Sequence, residues 1–105
     1  MTAKPVVTLE RARRDVEDAI DYYAREEGAD LALRFIGALE DGYRMISARP
    51  AMGSPRYAHE LDLPGFRSRG LRRFPYLVFY VERADRIDIW RVLHAQRDIA
   101  SWMAE

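Results

Sequence analysis

Apolar and polar residues alternate along the stretch Phe66–Arg97, as they do in strands that bury one face. The alternation predicts three consecutive strands, at about Arg67–Arg73, Tyr76–Glu82 and Arg86–Leu93. A turn signal at Glu82–Arg86 separates the last two strands. Consecutive strands with such short connections pair antiparallel, so this stretch predicts a small antiparallel sheet.

The first half of the chain has helical spacing instead. Over Glu10–Glu27 apolar residues recur every three or four positions, which predicts an amphipathic helix that ends at Gly28. A second helix of the same period follows after a very short connection and ends before Pro50. Thr8 and Asp30 are the expected N-caps of the two helices. Helices joined so tightly should form an antiparallel hairpin.

Three further segments complete the predicted order. Lys4–Leu9 is rich in β-branched residues and predicts an N-terminal edge strand. Pro50–Pro55 is rich in turn residues and predicts a loop, and the segment from there to Gly65 has no clear period. Asp98–Met103 predicts a short terminal helix. We therefore expect residues 1–105 to form a single α+β domain of order β-α-α-β-β-β with a short C-terminal helix. The helical hairpin should pack on one face of the sheet.

Two glycines inside the second predicted helix are unusual. Gly37 and Gly42 should each cost about 1 kcal/mol relative to alanine at the same position. We expect another element to approach the helix closely at both positions.

Charge is unevenly distributed along the chain. Residues 66–97 carry eight basic and three acidic side chains, whereas the whole chain has a formal net charge of zero. Nucleic-acid-binding domains usually have a basic surplus, so neutrality argues against a dedicated nucleic-acid binder. Lys4 is the only lysine, and the other sixteen cations are arginines, which suit planar contacts to carboxylates and aromatic rings.

Composition excludes several classes of protein. A hydrophobic content of 49% and a charged content of 32% are typical of globular chains rather than disordered ones. The absence of cysteine excludes disulfides and thiolate metal sites. No apolar run has the length of a signal peptide or a membrane span, so we expect a soluble cytoplasmic protein without membrane contact.

Four motifs, in this order, together resemble the RelE/ParE toxin superfamily. They are DYY at Asp21–Tyr23, RPAMG at Arg49–Gly53, RRFPYLVFY at Arg72–Tyr80 and IWRVLHAQR at Ile89–Arg97. The resemblance covers nearly the whole chain and is closest to ParE, the toxin of ParD/ParE type II toxin–antitoxin systems, which are associated with plasmid stabilisation.

This resemblance implies both a fold and a role. The fold would be β-α-α-β-β-β. The role would be growth inhibition through DNA gyrase, neutralised by tight binding to a ParD-like antitoxin in a heterotetramer or larger complex. We expect no cofactor and no catalytic residue, and two distant histidines without a cysteine argue against a metal site. In such a system, DNA contact would belong to the antitoxin.

Arginine and aromatic side chains are the types that dominate interface hot spots. An acidic, amphipathic antitoxin segment would complement them, with carboxylates on guanidinium groups. The candidate antitoxin- or target-binding residues are Arg56, Tyr57, Arg67, Arg69, Arg72, Arg73, Phe74, Tyr80, Arg91, His94 and Arg97.

Two alternative functions stay open. A ribosome-dependent RelE-type endoribonuclease would need arginines such as Arg69 and Arg91 for phosphate, with His94 or Tyr80 moving protons. The neutral charge and the single lysine argue against it, and His94 at the end of a strand is also typical of a structural histidine. A non-toxic protein that only binds an antitoxin is the other alternative.

Overall fold

The computed structural model describes residues 3–103 of the chain. The elements confirm the predicted α+β order and add one short helix. They are β1 (Val6–Thr8), α1 (Glu10–Glu26), α2 (Ala29–Ala48), a 3₁₀ turn (Pro50–Met52), α3 (Arg56–Glu60), β2 (Phe66–Gly70), β3 (Tyr76–Glu82), β4 (Ile87–His94) and α4 (Ile99–Met103).

The two long helices form the predicted hairpin, and Gly28 makes the sharp connection with a φ of 98° that glycine adopts without penalty. The predicted caps are wrong. Leu9 is the N-cap of α1 and Gly28 that of α2, and neither end has a side-chain cap. Thr8 stays in β1, where it pairs with Ile89, and Asp30 lies in the first turn of α2, where its charge favours the helix dipole.

The sheet has four strands in the order β1-β4-β3-β2 and is mixed. The β2, β3 and β4 strands pair antiparallel as predicted, whereas β1 runs parallel to β4 at the opposite edge from β2. The edge position of β1 is confirmed. The complete sheet is mixed rather than antiparallel, because β4, the last strand of the meander, runs in the same direction as β1.

The first of the predicted sheet strands ends earlier than expected, at Gly70 rather than Arg73. Residues 71–75, which we call the β2–β3 turn, leave the ladder because Arg73 has a φ of 69° and Pro75 has no N–H to donate. A second irregularity lies in β4. Phe79 pairs with Arg91 and Tyr80 with Ile89, which leaves Trp90 as a bulge residue.

The sheet is packed on both faces. The larger core lies between the helical hairpin and the sheet and includes Phe35, Ile46, Val78, Tyr80, Ile87, Ile89 and Val92. A smaller core of Phe79, Leu93 and Ile99 lies on the opposite face, where Tyr57 of α3 and Trp102 of α4 pack against it. The two short helices therefore cover part of the face that the hairpin leaves open.

The two helical glycines have different environments. A Cβ at Gly42 would lie 2.9 Å from Leu71 Cδ2, so the expected close approach is confirmed there. A Cβ at Gly37 would meet no described atom within 4 Å, so nothing in residues 3–103 approaches it closely. No helix in this part of the chain is long and apolar enough to span a membrane.

Candidate partner-binding site

The predicted binding residues do not form one site. Two of them are buried, and the others lie in three separate regions of the surface. These regions are α3 with the neighbouring edge strand β2, the end of β4 with α4, and the β2–β3 turn.

The two buried residues are bonded inside the protein. Tyr80 is 1% exposed, and its hydroxyl donates to the Pro50 carbonyl at 2.6 Å. Burial raises the pKa of this hydroxyl. Arg91 is 5% exposed, and its guanidinium donates to both carboxylate oxygens of Asp15, at 2.7 and 2.9 Å, and to the Trp102 carbonyl. We therefore exclude both residues from the candidate contact surface.

Asp15 is the residue that sequence reasoning missed. Its carboxylate accepts hydrogen bonds from the Arg91 guanidinium and, at 3.0 Å, from the Val92 N–H. Val92 lies three residues after Ile89, the last residue of β4 that pairs with β1. A signal for it exists in the sequence. Asp15 follows Ala12 by three residues and precedes Ala19 by four, so it lies on the buried stripe of α1, where a carboxylate requires a partner.

In the first surface region, α3 lies beside β2. Arg56 is exposed and pairs with Glu60 at 3.1 Å, while Tyr57 packs edge-on against Phe79 at 5.2 Å between ring centroids. Arg67 donates to the Gly53 carbonyl at 2.8 Å, and Arg69 is half-buried on the same face of β2. Most of these groups already have partners within the fold.

In the second region, a groove of about 510 Å³ lies between α1 and the end of β4. Arg97 stacks over the Trp102 ring at 4.2 Å. His94 packs edge-on against Tyr76 at 5.2 Å, and its Nδ1 accepts the Gln96 N–H at 3.1 Å. These contacts are those of a histidine with a structural role, which the position of His94 at the end of a strand predicted as the alternative to proton transfer. Acidic and basic side chains both line this groove, so it has no single charge preference.

The third region is a groove of about 640 Å³ between α2 and the β2–β3 turn, which we call the turn groove. Leu31, Arg34, Gly37, Ala38 and Asp41 form its α2 wall, and Arg72, Arg73, Phe74 and Pro75 form the other. The ring of Phe74 is fixed edge-on against Tyr23 and Phe35, each at 5.4 Å, so the apolar floor is rigid.

The turn groove brings together three arginine side chains that have no partner within the fold. Within residues 3–103, the side chains of Arg34, Arg72 and Arg73 form no hydrogen bond or ion pair, and all three are exposed. Arg25 and Arg49 also form none, but they do not line this groove. Among the described residues that line the groove, Asp41 supplies the only carboxylate, and it is already paired with Arg44. The rim therefore carries three cations with no internal counterion above an apolar floor.

The side chains that could transfer protons in RNA cleavage do not lie together in one site. Tyr80 and Tyr76 are four residues apart on β3, so Tyr80 and His94, which pairs with Tyr76, lie roughly 13 Å apart along the sheet. In the described part of the chain, no three histidine, aspartate or glutamate side chains could hold a metal ion together. The carboxylates Glu17, Asp18 and Asp21 are exposed on α1.

These features define a small α+β protein with a helical hairpin on a mixed four-stranded sheet and a groove that has a basic rim and an apolar floor. The model of the family described as the ParE toxin of the type II toxin–antitoxin system, parDE, matches residues 6–99. The chain therefore belongs to the ParE toxin family and is a type II toxin of a toxin–antitoxin module.

A solved structure supports the fold. The chain is similar to one in the structure titled "Chromosomal ParDE TA system from P. aeruginosa", with a TM-score of 0.75 and 19% sequence identity. The match covers 90% of this chain and 98% of the other. At this identity the likeness shows the fold alone. No curated protein sequence matches the chain significantly.

Proposed function

We propose that this toxin inhibits bacterial growth in the cytoplasm by acting on DNA gyrase, and that a ParD-like antitoxin neutralises it by tight binding. Membership of the ParE family supports the gyrase target. The antitoxin has a further, independent support in the three unpaired arginines of the turn groove, Arg34, Arg72 and Arg73. This arrangement is the observation that carries the proposal.

The physical reason is charge complementarity. Three exposed cations along one groove repel one another, and a partner carboxylate relieves that repulsion while it accepts charge-assisted hydrogen bonds. Guanidinium groups bind carboxylates bidentately, so arginine adds geometric selectivity that lysine lacks. An acidic protein segment is therefore the partner that this surface fits.

The proposed action is stoichiometric binding rather than catalysis. ParE toxins are generally not enzymes. In this chain Tyr80 and Arg91, two of the groups that RNA cleavage would need, are buried and bonded within the fold. Primer extension on RNA from induced cells would reveal codon-phased cuts if the toxin acted as a nuclease, and such cuts would contradict the proposal.

The test combines growth, binding and gyrase activity. The toxin is induced alone and together with the small protein encoded beside it, and the purified toxin is added to a gyrase supercoiling reaction. We expect growth arrest from the toxin alone, recovery with the antitoxin, a co-purifying complex and loss of supercoiling. Normal growth on induction alone would instead indicate a non-toxic member, and unchanged supercoiling would exclude gyrase as the target.

A further inference from the structure

The turn groove combines three features that each make the free protein less stable. They are a glycine in the middle of a helix, a non-glycine residue with positive φ, and three like charges without counterions. We propose that an acidic, amphipathic segment of the antitoxin docks in the turn groove, with its apolar face against Gly37 and its carboxylates on the arginine rim. This inference rests on the proposed function and assigns the docking site.

Gly37 is the first of the three features. Glycine inside a helix loses more backbone freedom on folding than alanine does, so it is retained only where something gains from the missing side chain. Gly42 has such a reason within the fold, because a Cβ there would lie only 2.9 Å from Leu71 Cδ2. Gly37 has none among the described residues, and its open side lines the groove. A docked segment would supply the close neighbour.

Arg73 is the second feature. Its φ of 69° places it in the left-handed region, where a Cβ is disfavoured and glycine is not. The other described non-glycine residue with positive φ is Asp62, a residue type that tolerates this region. Glycine would form the β2–β3 turn with less strain than arginine does. The arginine side chain, which has no internal partner, is therefore the part that a function requires.

The chemistry of the groove selects the occupant. Its floor of Leu31, Ala38 and the fixed Phe74 ring suits apolar side chains rather than a sugar–phosphate backbone. Leu33, four residues before Gly37 and on the same side of α2, is 65% exposed and extends the apolar surface. Three arginines above this floor match a helix or strand with one apolar and one acidic face.

The experiment uses two variants that should weaken antitoxin binding without destabilising the fold. The full-length toxin carries Arg73→Gly or Gly37→Leu, and its affinity for the ParD-like protein encoded beside it is measured by calorimetry. Thermal unfolding of each free toxin is measured in parallel. We expect Arg73→Gly to raise the unfolding midpoint and yet weaken binding at least tenfold. Gly37→Leu should keep or raise the midpoint, because leucine is a better helix former than glycine and its Cβ would meet no described atom within 4 Å, and it should weaken binding at least as much.

Matched controls test whether position within the groove is what matters. Arg25→Ala removes an exposed arginine from α1, and Asp21→Leu adds a leucine to the exposed face of α1, away from the groove lining. Both should bind the antitoxin as the wild type does. Wild-type affinity for the antitoxin in both groove variants would overturn the inference. It would also be overturned if the variants lost affinity only for a DNA or RNA duplex and kept it for the antitoxin. Failure of the wild-type toxin to bind the antitoxin would instead overturn the proposed function.

Discussion

Gly53 lies against the ring of Tyr80 so closely that a Cβ on the glycine would be 2.1 Å from the tyrosine oxygen and 2.8 Å from ring carbon Cζ. The same hydroxyl donates to the Pro50 carbonyl, which ties the end of the helical hairpin to the middle of β3. The spacing of the Arg49–Gly53 motif therefore has a structural reason. The proline carbonyl binds the tyrosine, and the glycine makes room for its ring.

Replacing Gly53 by alanine should destabilise the toxin by about 2–3 kcal/mol, because a buried ring has to move to admit the methyl group. Urea unfolding measures the change. Gly37→Ala is the matched control. It adds the same methyl group where no described atom lies within 4 Å, so it should stabilise the fold by up to about 1 kcal/mol. Equal unfolding midpoints for the two variants would contradict this account of Gly53.

The buried pair of Asp15 and Arg91 leads to a second prediction. Asp15→Asn should cost about 3–5 kcal/mol, because it leaves a guanidinium that is 5% exposed without its counterion. Glu60→Gln breaks the exposed pair with Arg56 and should cost less than about 1 kcal/mol. Urea unfolding compares the variants. A loss in Asp15→Asn no larger than in the surface control would show that the pair does not hold α1 and β4 together.

Stability at low pH should depend on Asp88. Its hydrogen bonds from Arg86 and then Arg83 lower the pKa of this carboxyl below the ordinary aspartate value. The ionised form is therefore favoured by folding. Its contribution is fully present above the unfolded pKa of about 3.9 and is lost as the pH falls through the folded pKa.

Asp88→Asn should remove this dependence. The difference in unfolding free energy between wild type and variant should be largest near neutral pH and shrink steadily below about pH 4. Chemical unfolding at a series of pH values measures it. A difference that stays constant down to pH 2 would rule out the carboxylate as the source.

Much of the fold was predictable because burial of one face imposes a period on the chain. Tyr76–Glu82 and the helical hairpin were located correctly on that basis. The same logic fails for α3, since the five residues of Arg56–Glu60 are too few to show a helical period. It also fails at Arg73, where the polar pattern continues but the backbone turns through a left-handed residue.

The candidate site was less predictable than the fold. The abundance of arginine predicted binding residues in the β2–β3 turn, but it predicted Arg91 as a binding residue equally well. The partner of Arg91 is Asp15, which lies 76 positions away in the sequence. Only the three-dimensional structure shows which guanidinium groups are neutralised internally. It also brings Arg34 of α2 beside the turn, and nothing in the local pattern of α2 distinguishes that arginine from its neighbours.

The arginine rim of the turn groove should make antitoxin binding depend on salt. The three guanidinium groups are exposed, so their attraction for partner carboxylates is screened once the Debye length falls below about 10 Å, near 0.1 M salt. The dissociation constant should rise roughly tenfold, or about 1.4 kcal/mol, between low and high salt. The combined variant Arg34→Ala/Arg72→Ala should bind more weakly at low salt and show a flatter dependence, while Arg25→Ala should retain the wild-type slope. A binding constant that is independent of salt in the wild-type toxin would mean that apolar contacts alone hold the partner, and the arginines would then need another explanation.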